Sequence, residues 1–183
     1  MRRVVIVMGP PGMHTQKYAW LLGHMMKTKY TILNFDTYSW HKFDLDNYDD
    51  YFKDYCLKVS NALKRMEEND TLILAGFFTI PEERDNIYSI INKSKVKIDE
   101  IIGVWLESSF KYLIEHNTVL EEATEELQLA LFQYRVSPRE GEPFKDIYYF
   151  TTETNLGLSK RYPYFDTIQG NLKQLAEVCD THD

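Results

Sequence analysis

The chain has 183 residues, enough for one domain with a sizeable core, and no run approaches the ~20 consecutive apolar residues of a membrane-spanning helix. Its net charge of −7 excludes broad, sequence-blind binding along duplex DNA, but leaves room for a nucleotide or one nucleic-acid end in a local basic pocket. Two widely spaced cysteines, Cys56 and Cys179, exclude a disulfide framework or metal knuckle, and Gly9-Pro10-Pro11-Gly12 comes too early for a signal-peptide core, so a cytoplasmic location is expected.

In chain order, Arg3 to Met8 is a continuous apolar run with β-branched residues, the pattern of a strand buried on both faces. Met13 to Lys27 reads as a helix, with Tyr18, Leu21, Leu22 and Met25 at helical spacing. Tyr30 to Phe35 is a second strand, ending at Asp36. Asp46 to Glu68 is a long helix with Tyr51, Tyr55, Val59, Leu63 and Met66 on one face, and Asn69-Asp70 is the turn after it. Thr71 to Gly76 is a third strand. Pro81 then suits the first turn of a helix, followed by Glu82 and Glu83 near its positive end. Ile101 to Leu106 is a fourth strand, followed by helical stretches at about 108–117 and 120–134. Asp146 to Phe150 is a short last strand, 151–163 a loop, and Gln169 to Cys179 a closing helix. No internal repeat or linker divides the chain, so residues 1–183 are expected to form a single domain.

Strands alternating with helices imply a parallel sheet covered on both faces. Ligands of such folds bind at the carboxyl ends of the strands. Gly9–Gly12, Asp36 and Gly76–Thr79 all fall there.

The junction Gly9-Pro10-Pro11-Gly12-Met13-His14-Thr15-Gln16 has the position and rhythm of a Walker A loop, G-x-x-x-x-G-K-[ST]. A glycine-bearing turn feeding a helix offers backbone N–H groups and the helix dipole to an anion. Here His14, Thr15 and Gln16 stand in the places of the glycine, the lysine and the hydroxyl residue. Lys17 lies about 200° around the helix from Thr15 and cannot simply substitute. A tight turn without a ligand is the plainer alternative. Asp36 could accept the proton of an attacking hydroxyl, or could simply serve as a turn or cap residue.

Leu72 through Arg84, with Thr79-Ile80-Pro81-Glu82-Glu83-Arg84 at its end, resembles the strand, loop and "NPERR"-type helix start of phage polynucleotide kinases and of zeta-toxin-like and tRNA-kinase-like P-loop proteins. Val104 to Ser109 and Leu113 to Asn117 resemble that family's fourth strand and the opening of its lid. Ser137 to Gly141 with Phe144 to Ile147 resembles the "P-x-x-E-G-F-D-x-I" end. The similarity runs in order over about residues 4–150. It implies an α/β fold, a three-layer P-loop kinase-like domain with a parallel sheet flanked by helices and a helical lid at about 116–140. It places Asp36 at the general-base position and Arg84 at a helix-start arginine that orients the site or only forms an ion pair.

Departures accompany the similarity. His116 stands where the family has an arginine that clamps phosphate. The expected lid carries Glu121, Glu122, Glu125 and Glu126 and no arginine before Arg135. Acidic groups there repel a triphosphate at short range, and Arg135 and Arg139 are the only substitutes within reach by sequence. His14, His24, His41 and His116 lack metal-ligand spacing, so no protein-held metal site is expected.

Two functions follow as expectations. One is phosphoryl transfer from ATP or GTP, with Mg2+, to a hydroxyl of a nucleotide or nucleic acid; a nucleotide hydrolase or a viral-type modified-base DNA kinase would use the same site. The other is a pseudokinase that binds a nucleotide, nucleic acid or protein without catalysis. A membrane partner is not expected in either case.

Overall fold

Five apolar runs pair side by side, all parallel, in the order β2-β3-β1-β4-β5. The strands are β1 (Arg3–Met8), β2 (Tyr30–Asn34), β3 (Thr71–Ala75), β4 (Glu100–Glu107) and β5 (Asp146–Thr151). The helices are α1 (Thr15–Met25), α2 (Tyr48–Leu63), α3 (Pro81–Asn92) and α4 (Phe165–Asp180). The computed structural model describes residues 1–10, 13–35, 48–107, 132–139, 141–151 and 165–181. Most of the expected lid, the helical stretch at 108–117 and nearly all of the 151–163 loop lie outside them.

β1 is the middle strand, with Val5 level with Ile73 on one side and Ile102 on the other. Both of its neighbours are strands and both of its faces are covered, so every residue from Arg3 to Met8 is buried. Its side chains alternate between two cores. Val5 and Val7 pack with Tyr18, Ala19 and Leu22 of α1 and Leu172 and Leu175 of α4. Val4, Ile6 and Met8 pack with Val59 of α2 and Ile87 and Ile91 of α3. The period of two in a strand makes this division, and each fully buried aliphatic side chain contributes about 1.5–3 kcal/mol to it. The edge strand β2 is only partly covered.

Helix α1 begins at Thr15, two residues later than the apolar spacing suggests, because Met13 and His14 belong to the loop before it. Helix α2 stops at Leu63. Its last turn tightens as the N–H groups of Arg65 and Met66 reach the carbonyls of Ala62 and Leu63, and Asn69 takes a left-handed conformation (φ 69°) that turns the chain back into β3. The buried face of α2 is Phe52, Tyr55, Val59 and Leu63, whereas Tyr51 is exposed. Tyr51 and Phe52 lie 100° apart on the helix, so one position of phase decides which ring enters the core. Helix α4 starts earlier than its apolar spacing indicates. Among the described residues no helix is long and apolar enough to cross a membrane.

The end of the sheet away from the loops is tied by charge. Arg3, almost fully buried, bonds Glu100 (2.8 Å) and the carbonyls of Cys179, in the last turn of α4, and Thr181, just beyond it. Asp180 accepts the backbone N–H groups of Lys27 and Thr28. The opposite end is left to the loops.

Candidate functional site

At the carboxyl end of β1 the chain runs close to its neighbours. A Cβ on Gly9 would lie 2.8 Å from the Leu106 carbonyl oxygen, so only glycine fits. The Gly9 N–H donates to the Phe77 carbonyl (3.1 Å), which ties the loop after β1 to the loop after β3. Pro10 is buried, and its carbonyl accepts the Met13 N–H (3.2 Å). Pro11 and Gly12 lie outside the described residues. Met13 is buried, anchoring the end of the loop in the core beneath α1.

His14 is the N-cap of α1 and adopts φ 53°, ψ 44°, the left-handed region, with no side-chain cap bond. It is the position at which the Walker pattern has its last glycine. A histidine costs about 1–2 kcal/mol more than glycine in that conformation. The His14 carbonyl accepts from the Lys17 N–H (2.9 Å), so the helix starts from this left-handed corner. Partial burial of the ring, then the Lys17 ammonium, push the His14 imidazole below its ordinary pKa, and it is largely neutral at pH 7. The first turn of α1 carries no acidic residue. Thr15, in the lysine's place, is buried, and Gln16 is half-buried.

Beside this loop stands the one after β3. The Gly76 N–H reaches the Val7 carbonyl (3.1 Å) and the Phe35 N–H the Ala75 carbonyl (2.7 Å), drawing the ends of β1, β2 and β3 together. A Cβ on Gly76 would meet the Phe78 ring at 2.8 Å. Phe78 is buried and also left-handed, at φ 43°, a conformation rare for a bulky residue. Asp36, the expected base, lies outside the described residues. Phe35 before it is buried among the Tyr48, Phe52, Tyr55 and Phe78 rings.

The candidate arginines are placed differently from one another. Arg84 is fully buried and makes four hydrogen bonds: a fork onto Glu142 (Nε and Nη2, each 2.8 Å), and Nη1 to the carbonyls of Phe78 (3.0 Å) and Val136 (2.9 Å). Arg84 thus forms an ion pair with Glu142. Arg135 forks onto Oε1 of Glu107 (3.0 and 3.1 Å), lies over the Phe132 ring at 3.5 Å, and is half-buried. Glu107, which sequence reasoning missed, also accepts the Trp105 indole N–H (2.9 Å). Arg139 is exposed, and its backbone N–H donates to Glu142 (3.0 Å).

Glu142 was missed as well. Burial works against its ionisation, but bonds from Arg84, Tyr88 and the Arg139 N–H together hold its carboxyl below the usual range. Glu83 goes the other way: burial raises its pKa despite the bond from the Tyr48 hydroxyl, and its Oε2 has no hydrogen-bond partner among the described residues. No group of three His, Cys, Asp or Glu gathers as a metal cluster among the described residues.

No protein-family model matches the chain, and no curated protein matches it. Solved structures match over nearly its whole length. Kti12 of Chaetomium thermophilum, in complex with ADP-AlF3, aligns at a TM-score of 0.65 with 12% identity, covering 98% of this chain and 100% of that one. A sugar kinase from Janibacter sp. HTCC2649 aligns at 0.61 with 13% identity, covering 100% and 99%. A gluconokinase from Sinorhizobium meliloti 1021 aligns at 0.58 with 13% identity, covering 96% and 94%. The fold is that of the P-loop kinases. At such identities the likeness is one of fold.

Proposed function

We propose that this protein binds a nucleoside di- or triphosphate with its phosphates on the loop between β1 and α1. In this reading it transfers a phosphoryl group to a hydroxyl of a nucleotide or nucleic-acid end. The observation that carries the reading is the left-handed His14. A strained corner persists where the surrounding structure over-determines it, and this one preserves the turn that aims loop and helix N–H groups at an anion although the glycine and lysine are gone. The Chaetomium protein was solved with ADP-AlF3, which makes an adenine nucleotide the first ligand to try.

The residues at hand fit a phosphate chain better than they fit a metal. Gln16 stands where the motif has its metal-side hydroxyl, so magnesium would be carried chiefly by the phosphates of ATP or GTP, and when bound it supplies the positive charge that Thr15 does not. Asp36 is the residue we assign to take the proton of the acceptor hydroxyl. Arg139, exposed and with its backbone N–H on Glu142, is the arginine available to phosphate, because Arg135 is engaged by Glu107.

One observation favours the second reading, a pseudokinase that holds nucleotide without turnover. Thr15 is buried, so the lysine's place offers neither charge nor reach. Calorimetry with ATP and GTP, with and without magnesium, combined with an assay for ADP or GDP release in the presence of nucleoside and oligonucleotide acceptors, tests both readings. Micromolar binding with turnover that Asp36→Ala abolishes supports the kinase. Binding that Asp36→Ala leaves intact, with no turnover in the parent, gives the pseudokinase. Absence of binding at millimolar nucleotide overturns both.

A further inference from the structure

We propose that Arg84 and Glu142 form a positioning joint that fixes the phosphate loop and the segment 132–139 relative to each other through the strained loop after β3. The significance of this joint for ligand binding rests on the nucleotide reading above. The existence of the joint does not.

The path is short and runs through hydrogen bonds joined by one peptide unit, from Phe77 to Phe78. The Gly9 N–H, first of the phosphate loop, is held by the Phe77 carbonyl (3.1 Å). The next carbonyl, that of Phe78, is held by Arg84 Nη1 (3.0 Å), and the same nitrogen holds the Val136 carbonyl (2.9 Å). Val136 returns its own N–H to the Thr79 carbonyl (2.7 Å). One guanidinium therefore sits between two backbone segments that are 58 residues apart, counting from Phe78 to Val136. Glu142 fixes that guanidinium with a bidentate fork, and its own remaining capacity is filled by the Tyr88 hydroxyl (2.6 Å) and the Arg139 N–H (3.0 Å). A planar fork met by a carboxylate with every oxygen occupied has one geometry.

Strain separates this joint from an ordinary buried ion pair. Phe78 holds φ 43° with its ring shut in against Phe35 and Tyr55. A bulky residue keeps such a conformation only where its surroundings over-determine it. Arg84 bonds the carbonyl of that very residue. Loosening Arg84 frees Phe78 to relax toward an ordinary conformation, which moves the adjoining Phe77 carbonyl and with it the Gly9 amide.

The test is amide hydrogen exchange on the full chain, beside calorimetric titration with ADP. In Arg84→Lys, which keeps the charge and loses the fork, the Gly9 and Val136 amides should exchange faster together, by about tenfold or more, the scale of a lost charge-assisted bond. Val5 and Ile102, in the sheet centre, report any loss of global stability and should accelerate less than Gly9 and Val136. Tyr88→Phe removes one bond to Glu142 and leaves the ring's packing on Phe144. It should give the same paired pattern at smaller amplitude, and it serves if Arg84→Lys fails to fold. The ADP dissociation constant should rise in step with the Gly9 exchange rate. Acceleration at Val136 with Gly9 unchanged overturns the joint. So does acceleration at Gly9 and Val136 no greater than that at Val5 and Ile102, which is the signature of a residue serving global stability alone. A parent protein that does not bind ADP defeats the nucleotide reading, while the exchange data still decide the joint.

Discussion

Two loops stand side by side at the carboxyl end of the sheet, and both hold a non-glycine residue in the left-handed region. In the loop after β3 the strained residue is Phe78, whose ring is buried and whose carbonyl is bonded by Arg84. In the loop after β1 it is His14, exposed, with no side-chain cap bond and no acidic residue in the turn that follows. The first corner is satisfied by the protein itself. The second leaves its helix start uncapped by its own side chain. Strain compensated internally indicates a structural device, while strain without such compensation indicates a site for something from outside.

The strongest way to break the comparison is at the satisfied loop. Arg84→Met should destabilise the fold by about 3–5 kcal/mol, because it leaves the Glu142 carboxylate, largely buried, without its counter-charge. Urea unfolding measures this, and a loss below 1 kcal/mol would mean that the fork contributes little. Gly9→Ala comes next. Its methyl would press on the Leu106 carbonyl oxygen at 2.8 Å, an overpacking that costs about 1–3 kcal/mol and displaces the phosphate loop. Unchanged stability together with unchanged nucleotide affinity would show that the loop does not need this close approach.

At the unsatisfied loop the sign reverses. His14→Gly relieves the left-handed strain and should raise stability by about 0.5–1 kcal/mol, the strain less the added chain entropy of glycine. Nucleotide affinity should hold or improve, since backbone shape and not the imidazole makes the site. A fall of tenfold or more would assign the ring itself to the ligand.

The smallest effect separates the two carboxylates. Glu83 has a folded pKa above its unfolded value, so the folded state binds more protons, and its contribution is lost as pH rises from about 4.5 upward. Glu142 has a folded pKa below its unfolded value, so its contribution is present above about 4.5 and is lost as pH falls through the folded pKa. Relative to the parent, Glu83→Gln should therefore gain melting temperature between pH 4 and 7, and Glu142→Gln should lose it. Parallel pH profiles for the two variants would contradict both assignments.

The positions of the strands and the parallel architecture were legible from the sequence. The run from Arg3 to Met8 is apolar at every place but the first because the middle strand is covered on both sides. Gly9 was legible as a tight turn after β1, and its close approach to Leu106 is the reason for a glycine there. Helix phase was less so: Tyr51 and Phe52 are equally apolar by type, and only packing against Phe35 chose Phe52. Nothing in the letter His at position 14 announces a left-handed residue, since the conformation is imposed by where β1 ends and α1 begins.

Period, β-branching and glycine spacing therefore determined the sheet, its coverage and the place of the loops, because these are properties of neighbouring residues. Tertiary structure alone decided which carboxylate takes which arginine. Sequence offered Arg135 and Arg139 as groups for phosphate and left Arg84 between orienting the site and an ion pair. Folding brought Glu142 onto Arg84 and Glu107 onto Arg135. The physical reason is range. A strand is specified within a few residues, whereas an ion pair forms only between groups that the whole chain has already carried out of water and into contact.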